Sequence, residues 1–183
     1  MSIIWGLDPA FRNFGAAVLS TGGIMPRQGT DAATVCRVDV AVTKPSAKKH
    51  RVLAADDDAR CIRELARFLD ELHDEFTPVA ICAEVASGAK SAKAARMLGA
   101  AHAVMVTFAE LRRIPLAICT PQALKKATTG KLSATKDEVE AAVTKRFGDV
   151  LSHLPKTKRE HAADALGAFI ACEHSDIIRA VTR

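Results

Sequence analysis

Apolar runs separated by polar turns mark the first part of the chain. Residues 2–8 form an apolar run that predicts a buried strand, and residues 14–20 predict a second strand after a turn. Residues 35–42 alternate between apolar and polar positions, which is typical of a strand with one buried face. Because short links join these strands, we expect them to pair in order as an antiparallel meander.

The middle of the chain changes to a helical period. From Asp56, apolar side chains recur at three- and four-residue spacing, which predicts an amphipathic helix. Residues 79–84 predict a fourth strand, a long helix is expected over about 89–112, and residues 116–119 predict a fifth strand. Helices that follow a meander and then alternate with strands indicate an α/β sheet with helices on its faces.

Helical patterns dominate the remaining residues. A short helix is predicted over about 121–127, because the proline at its first position suits a first turn. Ser133 is a candidate N-cap for a helix over about 134–147. Residues 155–159 are expected to form a basic loop, and a final helix is expected over about 160–174.

Length and composition point to one domain over residues 1–183. The chain has 183 residues, of which 49% are hydrophobic, so it is long and apolar enough to bury a core. No apolar run approaches the ~20 residues that would span a membrane, and no secretory signal is evident, so no membrane partner is expected.

The five cysteines form no CxxC pair. That usage favours a reducing compartment, the cytoplasm (or a host cytoplasm).

Charge adds a class of partner. The net charge is +5 and the sequence pI is about 9.1. Basic residues cluster in several segments, including a lysine-rich loop over residues 43–51, and this distribution favours a polyanion. With seven Phe, one Trp and no Tyr, the chain does not support a stacking platform for single-stranded nucleic acid.

Three isolated acids stand among apolar residues. Asp8 ends the first apolar run, Glu84 ends the fourth strand, and Asp164 lies inside the final helical stretch. A carboxylate in apolar surroundings costs several kcal/mol unless it is paired or binds a metal. Three of them in one short basic chain predict a shared cation site, although each could instead be a separately satisfied core or cap residue.

A histidine extends this set of acids. His161 lies three residues before Asp164 and therefore shares its helix face. Together with Asp8 and Glu84, these residues offer oxygen and nitrogen ligands without thiolates, which suits Mg²⁺ or Mn²⁺. Two such ions can bind the attacking and leaving oxygens of a phosphoryl displacement. A metal site together with a polyanion partner therefore predicts phosphodiester hydrolysis.

Several motifs together resemble the RuvC Holliday junction resolvases. The sequence Gly-Leu-Asp-Pro at residues 6–9 looks like the first-strand signature of that family, and Ile-Cys-Ala-Glu-Val at 81–85 matches its second acidic position. The sequence His-Ala-Ala-Asp-Ala-Leu at 161–166 matches its closing motif. Residues 89–99, 120–126 and 130–136 resemble the helix and the DNA-contacting segments that lie between them.

The resemblance implies a ribonuclease H-like fold, a mixed five-stranded sheet with helices on both faces. It implies a homodimer that cuts four-way junction DNA with two Mg²⁺ ions per active site, for which Mn²⁺ would substitute. Ser87 stands where relatives commonly place an aromatic residue. The catalytic and metal-ligating residues carried over are Asp8, Glu84, His161 and Asp164. The residues expected to bind DNA are Lys90, Lys93, Lys125, Lys126, Lys136, Lys158 and Arg159.

Two other functions stay open from the sequence. The chain could be a ribonuclease H-like nuclease that acts on flaps, replication forks or RNA. It could also be a junction-binding protein with weak or no catalysis. The symmetry of the cuts on a labelled junction, or their absence, separates these functions.

Overall fold

The structure is a computed structural model that describes residues 1–22, 33–46, 52–85, 88–89 and 91–182. The strands are β1 (Ser2–Asp8), β2 (Asn13–Thr21), β3 (Ala33–Val42), β4 (Ala80–Glu84) and β5 (Leu116–Cys119). The helices are α1 (Ala54–Glu75), α2 (Ala92–Leu111), α3 (Pro121–Thr129), α4 (Lys136–Phe147), α5 (Lys156–Cys172) and α6 (Asp176–Val181). All five predicted strands are present close to their expected bounds.

The strands form one mixed sheet in the order β3-β2-β1-β4-β5. The first three strands pair antiparallel, which confirms the predicted meander. Strand β4 pairs parallel to β1, and β5 pairs parallel to β4. The sheet therefore has the predicted five strands, and β1 lies at its centre.

Helices cover both faces of the sheet and bury two separate cores. One core lies under α1 and α2 and includes Trp5, Leu7, Leu65, Leu69 and Met105. The other lies under α3, α4 and α5 and includes Ile4, Leu19, Leu124, Leu166 and Phe169. Alternate residues of β1 point into the two cores, as the two-residue period of a strand requires. The predicted helices on both faces are confirmed.

Helix α5 lies directly on the backbone of β1 and β2. A Cβ atom on Gly6 would meet the carbonyl oxygen of Ala165 at 2.1 Å, and one on Gly15 would meet that of His161 at 2.2 Å. Because side chains cannot approach a carbonyl so closely, only glycine permits this packing at both positions. The two glycines thus fix the turn of α5 that carries His161 and Asp164.

The start of α4 differs from the prediction. Thr135, not Ser133, is its N-cap: the Thr135 side chain accepts from the backbone N–H of Glu138, and the Glu138 side chain accepts from that of Thr135. This reciprocal capping box satisfies two backbone donors at once, which a serine two residues earlier cannot do.

The C-terminal helices also differ from the prediction. The segment 155–159 is not a loop, because α5 begins at Lys156 and the Lys158 N–H bonds to the Pro155 carbonyl oxygen at 2.8 Å. Basic residues in a first turn oppose the helix dipole, so their pattern favoured a loop. The short helix α6 was not predicted, since six residues show too little periodicity. No helix in the described ranges is long and apolar enough to cross a membrane.

Candidate active site

Two strand ends bring the first pair of acids together. Strands β1 and β4 are parallel neighbours, and Leu7 pairs in register with Ala83. The next residue of each strand is Asp8 and Glu84, so both carboxylates leave the sheet at the same edge. Parallel strands present their carboxyl ends on one side, and this is where α/β sheets commonly bind ligands.

Helix α5 adds the other two predicted residues across this edge. Asp8, Glu84, His161 and Asp164 all line one pocket of about 330 Å³. Its other walls come from the turn after β1 and from α2, α3 and α4. The remaining lining residues are Pro9, Ala10, Leu98, Pro121, Leu124, Lys125, Lys136 and Val139.

The predicted DNA-binding residues divide by position. Lys125 and Lys136 line the pocket with the acids, whereas Lys93 and Lys126 are exposed on α2 and α3 outside its lining. Lys158 does not line it either. Lys90, Ser87 and the loop residues Lys48, Lys49 and Arg51 lie outside the described residues.

Arg159 makes contacts within the chain. Its guanidinium donates to the carbonyl oxygens of Leu154 and Ser152 at 3.0 and 3.2 Å. It also lies 3.9 Å from a carboxylate oxygen of Glu140 on α4. These contacts hold the start of α5 against the preceding turn and α4, and DNA binding by Arg159 stays a prediction.

His161 bridges the helix and the central strand. Its Nδ1 lies 2.7 Å from Asp8 Oδ2, and its Nε2 lies 3.6 Å from Glu160 Oε1. Burial lowers the pKa of His161, but the hydrogen bond and negative charge of Asp8 outweigh that effect and raise the pKa above its ordinary value of 6.5. The neighbouring carboxylates of Glu160 and Asp164 add to the increase.

Two carboxyl groups in the pocket, those of Glu84 and Asp164, have raised pKa values. Burial raises the pKa of Glu84 to about 8, and the negative charges of Asp164 and Asp8 add to the effect. Burial also raises the pKa of Asp164 to about 7, again with a contribution from Asp8. Lys136 lowers both values and Lys125 lowers that of Glu84, but these two cations do not offset the burial and repulsion.

This donor set fits a hard divalent cation. Carboxylate oxygens are the ligands that Mg²⁺ and Mn²⁺ prefer. Burial and mutual repulsion disfavour the charged forms of Glu84 and Asp164, and a bound divalent cation would offset both effects. Within the described ranges, no three His, Cys, Asp or Glu side chains already stand as the ligand set of an ion. One oxygen of Asp8 is instead bonded to His161.

The raised carboxyl pKa values predict that the metal-free protein loses stability as the pH rises. Between the pKa of the unfolded chain and the higher pKa of the folded chain, such a group keeps its proton only in the folded chain. The free energy of unfolding therefore falls as the pH rises through this interval. For Glu84 this interval runs from 4.5 to about 8. We expect Glu84→Gln to raise the melting temperature near pH 8 by ~5 °C and to change it little near pH 4.

Thermal unfolding in a metal chelator measures this effect. Glu71→Gln, at an exposed position of α1, makes the same charge change and should leave the melting temperature nearly unchanged at both pH values. Adding Mg²⁺ should stabilise the unsubstituted protein more than the Glu84 variant, since a ligand stabilises the state that binds it. Equal melting temperatures of the unsubstituted protein and the Glu84→Gln variant near pH 8 would show that the Glu84 carboxylate does not destabilise the fold.

One residue beside the pocket was missed from the sequence. Glu160 on α5 pairs with Lys136 on α4, with its Oε1 lying 2.8 Å from the Lys136 Nζ. The only local signal is its position, directly before His161 in a basic segment. Its partner is 24 residues earlier in the chain (160 minus 136), so the contact has no helical spacing that a sequence pattern could reveal.

Comparisons with known proteins bear on this arrangement. The profile of the family described as "Crossover junction endodeoxyribonuclease RuvC" matches residues 4–174. A protein of that description from Teredinibacter turnerae is 28% identical over 175 residues, which cover 96% of this chain and 89% of that protein. Another from Chlamydia abortus is 32% identical over 127 residues, which cover 68% of this chain and 74% of that protein.

A solved structure shares the architecture. The structure of "T. thermophilus RuvC in complex with Holliday junction substrate" matches with a TM-score of 0.75 and 21% identity. The match covers 100% of this chain and 98% of that one. At that identity the likeness concerns the fold: the mixed sheet with helices on both faces is common to the two proteins.

Proposed function

Because the chain belongs to the RuvC family of crossover junction endodeoxyribonucleases, we propose that it is an endonuclease that resolves four-way DNA junctions. The family membership confirms the resemblance found in the sequence. The observation that carries the proposal is the single pocket where Asp8, Glu84 and Asp164 meet Lys125 and Lys136. We propose that residues 1–183 form one nuclease domain.

The acids are proposed as the metal-binding residues. The family in general depends on a divalent metal ion. We propose that Asp8, Glu84, Asp164 and His161 would hold two Mg²⁺ ions, for which Mn²⁺ would substitute. When bound, such ions activate water and neutralise charge at a phosphate. The carboxylates would orient that water, and α5, seated on Gly6 and Gly15, keeps two of the four residues in position.

The two pocket lysines are proposed to act on the phosphate. Lys125 and Lys136 line the same walls as the acids, so their ammonium groups can face a phosphodiester placed in the pocket. A cation that is already in place stabilises the negative charge that develops in the transition state. This role differs from that of lysines on the outer surface, which attract DNA without meeting the reacting group.

Cleavage of a labelled four-way junction in Mg²⁺ tests the proposed function. Two symmetric nicks in opposed strands are the expected result. Asymmetric cuts in flaps or forks, or cuts in RNA, would identify a different ribonuclease H-like nuclease. A mobility shift without cuts in either Mg²⁺ or Mn²⁺ would identify a binding protein and contradict the proposal.

We also propose that the enzyme is a homodimer with α2 at the interface. Two opposed strands must be cut, and the described residues place one set of acids in one pocket. The outward side of α2 carries an apolar residue and a small one: Val106 is 40% exposed, and a Cβ atom on Gly99 would have no atom of the described residues within 4 Å. A small residue there leaves room for a close helix neighbour.

Sedimentation should give a dimer that the substitution Val106→Glu converts to a monomer. A charge buried at a helix interface is costly, which is the reason for the expected dissociation. Ile177→Glu is a matched control because Ile177 on α6 is also 40% exposed. A monomer both free and on junction DNA, or equal effects of the two substitutions, would contradict the interface.

The basic residues are expected to divide by role. Replacing Lys44, Lys48, Lys49 and Arg51 together by alanine should weaken junction binding, and each lost phosphate contact should reduce the salt slope by about 0.9. The rate at saturating protein should change little. Replacing Lys125 by alanine should instead lower that rate, because Lys125 lines the pocket. Salt-titrated binding and single-turnover cleavage are measured on both variants. If the loop variant loses cleavage rate and the Lys125 variant loses only affinity, the proposed roles are wrong.

A further inference from the structure

A line of charged groups runs along the rim of the pocket from α4 to β1. The Lys136 Nζ lies 2.8 Å from Glu160 Oε1, and the same oxygen lies 3.6 Å from His161 Nε2. The other ring nitrogen of His161 lies 2.7 Å from Asp8 Oδ2. Basic and acidic side chains therefore alternate along it, and one carboxylate oxygen of Glu160 faces both Lys136 and His161.

Exposure decides what the Lys136–Glu160 pair can contribute. The side chain of Lys136 is 63% exposed and that of Glu160 is 37% exposed. Pairs this open to water add at most about 1 kcal/mol to stability, so the fold does not depend on this one. Its main consequence is the position of the lysine ammonium, which otherwise moves freely at the end of a four-carbon chain.

The pair leaves the lysine able to bind a phosphate. An ammonium group has three donors, and one donor to Glu160 leaves two for the oxygens of a phosphodiester. Lys136 lines the pocket, whereas Glu160 is not among the described residues that line it. The carboxylate can therefore hold the ammonium from outside while the substrate occupies the inside.

From this geometry we propose that Glu160 is a positioning residue for junction cleavage, which acts by holding the Lys136 ammonium toward the reacting phosphate. The inference rests on the proposed nuclease function of this pocket. Without Glu160, the Lys136 side chain moves freely and must be ordered during each cleavage event. The side-chain entropy lost in this ordering raises the free energy of the transition state. Glu160 would thus affect the rate of cleavage rather than the affinity for DNA.

Single-turnover cleavage of a labelled junction at saturating protein tests this role. We expect Glu160→Ala to lower the rate about tenfold and Glu160→Gln to lower it less, because an amide oxygen still accepts from Lys136. The junction dissociation constant should stay within about twofold. In a Lys136→Ala background, Glu160→Ala should produce no further loss, since both changes remove the same effect.

Glu140→Gln is the matched control. Glu140 lies on α4 one turn from Lys136 and faces Arg159, the residue directly before Glu160, at 3.9 Å. This control changes the charge near the pocket by the same amount and should leave the rate unchanged.

Each of the following results would overturn the inference. If Glu160→Ala tightens junction binding without changing the rate, Glu160 masks Lys136 instead of positioning it. If the loss persists in the Lys136→Ala background, or the Mg²⁺ concentration needed for half-maximal rate rises, Glu160 acts through His161 or a metal ion. Should the unsubstituted protein cut no junction in Mg²⁺ or Mn²⁺, the proposed function fails and the inference fails with it. A normal rate for Glu160→Ala in an active enzyme contradicts the inference alone.

Discussion

Each of the substitutions Asp8→Asn, Glu84→Gln and Asp164→Asn should abolish junction cleavage and preserve junction binding. Each change replaces an anionic oxygen by a neutral amide, which removes a proposed ligand and weakens binding of a divalent ion. The loss of rate should reach roughly three orders of magnitude. Binding should survive because Lys125 and Lys136 remain in the pocket, and a less negative pocket repels the phosphate less.

Cleavage and mobility-shift measurements on the same preparations distinguish the two effects. Asp137→Asn is a suitable control, since Asp137 is an exposed acid on α4 beside Lys136 and outside the pocket lining. This control should cut at the normal rate. A variant of Asp8, Glu84 or Asp164 that cuts in Mg²⁺ at nearly the normal rate would remove that residue from the metal site.

His161 should govern the acid limit of the enzyme. The pKa of this histidine is raised above 6.5 in the metal-free pocket, so its protonated form persists to higher pH than that of an ordinary histidine. An imidazolium cation repels a divalent ion and cannot be its ligand. We therefore expect the cleavage rate to fall as the pH decreases and His161 becomes protonated.

Two substitutions distinguish the possible roles of His161. His161→Ala should be severely impaired, by roughly two orders of magnitude or more, because a ligand or a group that positions water is lost. His161→Asp should keep substantial activity and lose part of the acid sensitivity, since a carboxylate stays ionised to lower pH. The cleavage rate of both variants is measured as a function of pH, with His174→Ala as an exposed surface control. Normal activity of the alanine variant across pH would leave His161 with a purely structural role.

The strands and the acids at their ends were predictable because the signals are local. An apolar run that ends in a single carboxylate identifies both β1 with Asp8 and β4 with Glu84. A helix face shared by His161 and Asp164 follows from three-residue spacing. That all four converge on one pocket depends on the crossing of α5 over β1. The three isolated acids in one basic chain suggested a shared site, and the family resemblance supported it.

The remaining features depend on contacts between distant segments or on backbone geometry. The capping box at Thr135 competes with a serine two residues earlier, and both satisfy the simple N-cap preference. The start of α5 was missed because its basic first turn opposes the helix dipole, a local penalty that packing on the sheet offsets. Glu160 was missed because its partner, Lys136, lies on another helix.

The packing of α5 on β1 has a consequence for the nascent chain. The contact between Asp8 and His161 joins residues 153 positions apart, so the pocket closes only after residues 156–172 have left the ribosome. Contacts of such long sequence separation form late and slowly in folding. During translation the first strands can pair while the chain still lacks half of its proposed ligands. An unfinished chain therefore has no assembled centre with which to cut DNA.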